Sequence, residues 1–305
     1  MARTLGYNTA ASALNYINLA RDLSRLESKN EEITTRDGHV KGYLVDIKCM
    51  GGSLSVYTAP NSWKMRNSFR KFHAYRELMF EEAGIEGDEI GRYGKTIRPY
   101  LDVGHLTNAA LTPFTSNSVT GAWNVDGGEW TMTRMATTPI YGESGGGPAQ
   151  SAEKWADGFD LHICEENQFQ IPGDDAKSGM YSSVGMIHSY NLDRQELVTP
   201  DINSDQVLES PSNPLAAIRS NGNQAAGAVL DIAIDQEAEA PPYDLADNGD
   251  SIQVAFAGSG LSTAEFPTQH VQCFVPAGLM RIDTGSATAT LQVKVLDTIL
   301  CKDME

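Results

Sequence analysis

The sequence predicts a mainly β chain, with antiparallel sheets folded into a sandwich or barrel and a few helices inserted between strands. Three observations carry this. Short stretches of alternating or β-branched residues recur between turns rich in Gly, Pro and Asn. Only two segments have a convincing helical period. Strands and helices do not alternate regularly, which argues against a doubly wound α/β fold.

The elements follow in order. Tyr16, Leu19, Leu23 and Leu26 recur at helical spacing, so residues 1–32 read as an N-terminal helical segment ahead of the main fold at 33–305. Asp37-Gly38 divides two β-favouring runs and suits a tight turn with positive backbone angles. A further strand, SLSVYTA, follows Gly51-Gly52, with Leu54 and Val56 alternating against polar neighbours. The clearest helix is NSWKMRNSFRKFHAYRELMFEEAG. Asn61 or Ser62 caps its start, Gly84 ends it, and Met65, Phe69, Phe72, Met79, Phe80 and Ala83 share an apolar arc.

Beyond residue 90 the helical period fades. WNVDGGEWTMTRM reads as a hairpin, YGESGGGPAQ as a loop, FDLHICEENQFQI as a partly alternating stretch and MYSSVGMIHSYNL as a strand. Residues 199–224 hold Pro200, Pro211 and Pro214 and mark either an excursion or a boundary between two β units. AGAVLDIAID, SIQVAFAG, TQHVQCFVPAGLMRID and ATATLQVKVLDTIL then close the β series, the last with Leu291, Val293 and Val295 on one face.

The charge is unevenly spread. The net -17 divides into 15 Lys+Arg against 12 Asp+Glu over residues 1–100, and 8 against 28 over residues 101–305. The acidic remainder would repel a phosphate backbone, which leaves the first third for any nucleic-acid contact. The basic side chains there concentrate on the long helix: Lys64, Arg66, Arg70, Lys71 and Arg76. No acidic residue falls between Asp46 and Glu77. This helix is the candidate for contact with an acidic surface, either another copy of the chain or a genome. No apolar run is long enough to span a membrane, and the first residues lack the apolar core expected of a secretory signal.

The motifs that invite catalysis are weak. Gly142-Glu143-Ser144-Gly145-Gly146 fits the Gly-x-Ser-x-Gly pattern, but the glycines and Pro148 that follow are a poor first turn of helix. A serine needs a base and an orienting group beside it, and no upstream histidine has a matching context. Ser144 therefore reads as part of a Gly-rich loop, with a serine hydrolase as the lesser alternative. His39, His73, His105, His162, His188 and His270 are scattered without metal spacing, so no metal site is expected. Asp174-Asp175 and Asp244, Asp247 and Asp250 read as solvated acidic turns rather than calcium loops. Cys49, Cys164, Cys273 and Cys301 each sit among apolar neighbours and read as small buried hydrophobes, and no cofactor is implied.

The layout resembles that of viral jelly-roll major capsid proteins. The resemblance rests on VYTAPNSWKMRNSFRKFHAYRELMFEEAG, like the helix such proteins insert between strands, on the Pro-rich loop EAEAPPYD, and on the closing strand TATLQVKVLDTIL. It implies an antiparallel jelly-roll β-sandwich with inserted helices, single or double, the double form dividing near 199–224. Without a catalytic constellation in the sequence, a binding or assembly protein is expected rather than an enzyme. The expected function is a structural virion protein, assembled in the host cell, whose copies build an icosahedral shell, with minor capsid proteins as further partners. The chain departs from many such proteins in lacking a basic N-terminal arm, which turns attention to Lys64, Arg66, Arg70, Lys71 and Arg76. A phage tail or fibre-type protein and a carbohydrate-binding β-sandwich are the alternatives.

Overall fold

The structure is a computed structural model that describes residues 3–11, 14–27, 29–85, 96–114, 130–136, 158–165, 169–170, 181–195, 254–260, 268–285 and 287–301. Its elements are β1 (Arg3–Asn8), β2 (Asn15–Asn18), α1 (Leu19–Glu27), β3 (Lys41–Met50), β4 (Leu54–Thr58), α2 (Trp63–Glu82), α3 (Val103–Thr107), β5 (Arg134–Ala136), β6 (Gly158–His162), β7 (Phe169–Gln170), β8 (Tyr181–Gly185), α4 (Met186–Gln195), β9 (Ala255–Gly260), β10 (Thr268–Pro276), β11 (Leu279–Asp283) and β12 (Thr290–Leu300).

The chain is mainly β, as expected. Two four-stranded antiparallel sheets have the orders β1-β12-β3-β10 (sheet A) and β2-β11-β4-β9 (sheet B). They share one hydrophobic core, an arrangement consistent with a β-sandwich. Alternation explains the inward faces. Tyr43, Val45 and Ile47 of β3 and Leu291, Val293 and Val295 of β12 are buried on one side, and Leu54 and Val56 of β4 on the other. With one exception, β4 to β9, each successive strand of this pair of sheets lies in the opposite sheet.

That exception holds the insertion. Between β4 and β9 lie α2, α3, α4 and a third sheet, β5-β6-β8-β7, in which β6 and β8 run parallel. Side chains tie this insertion to the sandwich: Trp130 Nε1 donates to Ser24 Oγ at 2.7 Å, and an Arg21 guanidinium nitrogen donates to the Leu111 carbonyl at 2.6 Å. Residues 108–114 also run along the outer edge of both sheets. The Leu111 N–H donates to the Tyr16 carbonyl at 2.7 Å and the Phe114 N–H to the Gly6 carbonyl at 2.9 Å. The Phe114 ring lies over Gly6, where any Cβ would overlap it. A strand edge is thereby covered rather than left open for pairing with another chain.

Several expectations are corrected in detail. The N-terminal segment carries two strands, β1 and β2, before its helix. Tyr16 belongs to β2, and the helix starts only at Leu19, whose N–H bonds to the Gly278 carbonyl. Leu19, Ala20 and Leu23 are buried in the common core while Leu26 is exposed. The MYSSVGMIHSYNL segment is a strand only to Gly185; Met186 begins α4. TQHVQCFVPAGLMRID is two strands in different sheets. They are joined at Ala277 and Gly278, both with positive φ (54° and 71°), which lets the chain cross from one layer to the other within two residues. A turn does form at Asp37-Gly38, but only Gly38 has positive φ (78°), so it is not the type with two positive angles, and the arm before it is a single bridge from Thr34 to Val40 rather than a strand. The hairpin turn at 126–128, the loop 141–150, the connection 199–224 and the strand at 226–235 lie outside the described residues.

Candidate contact helix and buried polar junctions

Helix α2 forms where its signals place it. Ser62 Oγ accepts the Met65 N–H at 3.2 Å, Gly84 follows the last turn at φ 70°, and Met65, Phe69 and Phe72 have no exposed surface. The five basic residues share this helix but divide into different environments. Arg70 is exposed and Lys71 half-buried, whereas Lys64 is buried. A guanidinium nitrogen of Arg66 donates to the Cys301 carbonyl at 3.1 Å, and one of Arg76 to the Thr96 carbonyl at 3.0 Å. Burial, and then the charge of Arg98, lower the Arg76 guanidinium below its ordinary range. Arg66 and Arg76 therefore clamp α2 to its own chain, and Arg70 is the charge most available to a second molecule.

A second cluster has no counterpart among the sequence expectations. It lies where the insertion meets sheet B. Asp102 caps α3, its Oδ1 accepting the His105 N–H at 2.7 Å, and its Oδ2 pairs with Arg281 of β11 at 3.3 Å. His105 is buried; its Nδ1 accepts the Leu101 N–H at 3.1 Å, which assigns the neutral proton to Nε2. Its ring stacks on Tyr16 at 4.8 Å between centroids and meets the edge of Tyr100 at 5.3 Å. Glu165 Oε2 accepts the Val103 N–H at 3.2 Å and joins the end of β6 to the start of α3. Burial, reinforced by Arg21, pulls His105 down to about 3, while burial raises the Glu165 carboxyl and, with Asp102, the Tyr16 phenol. The local signal was Asp102-Val103-Gly104-His105, an N-cap spacing. Arg281 comes from the far end of the chain and gives no local signal.

Arg281 also begins an aromatic row across sheet B. The registers place Tyr16, Arg281, Tyr57 and Phe256 side by side on β2, β11, β4 and β9. The Arg281 guanidinium lies 4.6 Å from the Tyr57 ring centre, and the Tyr57 and Phe256 rings meet edge to face at 5.7 Å. The row runs from Tyr16, buried beneath α3, to Phe256, 60% exposed.

Two further buried sites are structural. Fully buried Asp22 accepts from the Tyr7 hydroxyl and Arg21 Nε, both at 2.8 Å; burial raises its carboxyl while Arg21, Tyr7 and Arg25 pull it back. On the parallel strands of the insertion, His162 Nδ1 and Ser183 Oγ share a short hydrogen bond. The pair has the contact that a serine nucleophile and its base need, but neither residue has any exposed surface, so no substrate atom reaches the hydroxyl. Burial lowers His162 to about 4.

The remaining expectations fall as follows. The four cysteines are buried and unpaired. Burial raises every thiol, Cys273 to about 11 and Cys301 to about 12, so none is a thiolate near neutral pH. Ser144 and the acidic turns at Asp174, Asp175, Asp244, Asp247 and Asp250 lie outside the described residues. Among the described residues no group of three His, Cys, Asp or Glu is placed to hold a metal ion, and no helix is long and apolar enough to cross a membrane. In comparisons with known proteins, no family model, no curated protein and no solved structure matches the chain.

Proposed function

We propose that this chain is a structural virion protein whose copies assemble into an icosahedral capsid shell on a single jelly roll. The observation that carries the reading is strand order. Counting only the strands of sheets A and B in chain order, the first lies beside the eighth, then the third and sixth; the second lies beside the seventh, then the fourth and fifth. This order supports a jelly roll, a fold shared by capsid proteins and some ligand-binding proteins. Two features favour the shell over a ligand-binding relative. The space between the sheets is filled by large side chains, among them Tyr7, Tyr43, Ile17, Ile47 and Leu54, all without exposed surface. The long insertion between the fourth and fifth strands, with α2 at its start, supplies surface for contacts between copies. Opposite charge on different parts of one chain favours heterologous contacts, which close into rings or shells.

Electron microscopy of the purified protein tests this. Shells, capsomers or lattices are expected; a monodisperse monomer across concentration and ionic strength overturns it. The exposed Phe256 ring, set edge to face against the half-buried Tyr57, supports a second reading, a carbohydrate-binding β-sandwich, because aromatic faces stack on sugar rings. Retention on immobilised glycans that is lost in Phe256→Ala would favour that reading.

A further inference from the structure

We propose that the His105 junction is an acid-operated release, in which protonation of His105 frees α3 from sheet B.

The geometry makes His105 the group on which the junction depends. Its ring is clamped between Tyr16 of β2 and Tyr100, and its Nδ1 is already committed as an acceptor to the Leu101 N–H. A proton taken from solvent onto Nδ1 removes that acceptor and sets two N–H groups against each other, which costs more than the lost bond. The charged and titratable groups around it give little relief. From α1 comes Arg21, a cation. From β11 comes Arg281, already paired with Asp102, the nearest carboxylate, which itself caps α3. From β2 and the chain before α3 come Tyr16 and Tyr100, both pushed up and so neutral. From the end of β6 come Glu165, bonded to the Val103 N–H, and Cys164, whose thiol is held protonated. A new cation at His105 must take Asp102 from Arg281 or leave the site, and leaving breaks the stacking on Tyr16. The α3 helix has only five residues; towards sheet B it is held by this ion pair and this stack, and towards β6 by the Glu165–Val103 bond, so it opens from the sheet as a local unit.

The size of the effect follows from linkage. A histidine at about 3 when enclosed and 6.5 when released favours opening about thirtyfold more at pH 5.0 than at pH 7.5. Hydrogen–deuterium exchange, corrected for intrinsic rates, reads this on the full chain. Peptides from residues 96–114 should lose about thirtyfold in protection over that range and should exchange faster than β3 peptides at both pH values, since α3 opens locally while β3 opens only with the whole fold. Equal protection of 96–114 at both pH values, or exchange of 96–114 at the rate of β3, overturns the release. His105→Gln, which cannot charge, should abolish the pH dependence; retention of it overturns the assignment. Should that variant not fold, an NMR titration of His105 in the unaltered protein decides instead. No titration above pH 5 is expected, and a midpoint near 6.5 overturns the proposal.

Discussion

Asp102 and Arg281 stand 179 residues apart in the chain and 3.3 Å apart in space, and their ion pair joins the cap of α3 to a strand of sheet B. Asp102 is almost fully buried, whereas Arg281 keeps some contact with solvent, so the two partners should not be equivalent. Asp102→Ala removes both the cap and the counter-charge and is expected to cost about 3 kcal/mol. Arg281→Met should cost less. The double variant should be less destabilised than the sum of the singles by more than about 0.5 kcal/mol. Urea midpoints for the four proteins check this; additivity would separate the two roles.

Gly104 is set by a neighbour rather than by its own backbone. A Cβ at this position would overlap the Tyr16 hydroxyl. Gly104→Ala is expected to cost about 1–3 kcal/mol. Tyr16→Phe removes the colliding oxygen, so the alanine should cost clearly less in that background. Equal costs in both backgrounds, by thermal unfolding, would show that the collision is not the cause.

The basic helix offers a contrast within a single turn. Arg66→Ala removes a charged donor to the Cys301 carbonyl and should destabilise the fold by about 1–2 kcal/mol. Arg70→Glu changes an exposed side chain and should leave stability within about 0.5 kcal/mol. If copies meet through this face, Arg70→Glu combined with Lys71→Glu should depress particle yield without unfolding the protein. Unchanged yield and packaging would remove α2 from the interface.

Acid should weaken the fold as a whole. His105 and His162 have folded values near 3 and 4, below the 6.5 of the released side chain. The unfolded chain therefore binds more protons as pH falls below about 6.5, and stability is lost through that window. At pH 5.0 each histidine contributes a loss of about 2 kcal/mol relative to pH 7.5. Asp22, Asp160 and Glu165 have raised values and act with the opposite sign, gaining stability as they protonate. His162→Gln isolates one part, and its loss between the two pH values should be smaller than that of the unaltered protein by about 2 kcal/mol. Equal losses in denaturant titrations would contradict the assignment.

The sequence revealed those elements whose signal is local. β4 and β12 showed themselves through Leu54 and Val56 and through Leu291, Val293 and Val295, because one face is wet and the pattern alternates. Helix α2 was legible from its Ser62 cap, its apolar arc and Gly84. β2 was not. All four of its residues are buried, so no alternation marks it, and Tyr16 followed by Leu19 and Leu23 mimicked a helical face. The start of α4 was hidden because Met186 follows the strand directly. The basic residues of α2 were visible as a group, but their division into internal clamps and an exposed Arg70 depends on Cys301 and Thr96. The His105 junction was the least legible, since its members come from α1, β2, α3, β6 and β11 and meet only when the sheets have formed.

The position of β12 between β1 and β3 sets an order of events during synthesis. Both flanking strands leave the ribosome long before residues 290–300 exist, and neither β1 nor β3 can complete its ladder without them. β10 reaches β3 first, so sheet A grows from that pair and closes only when β12 arrives, a late step of the kind that slows folds dominated by distant contacts. Until then β1 and one edge of β3 lack their shared partner, a window in which a chaperone or a neighbouring nascent copy competes with β12.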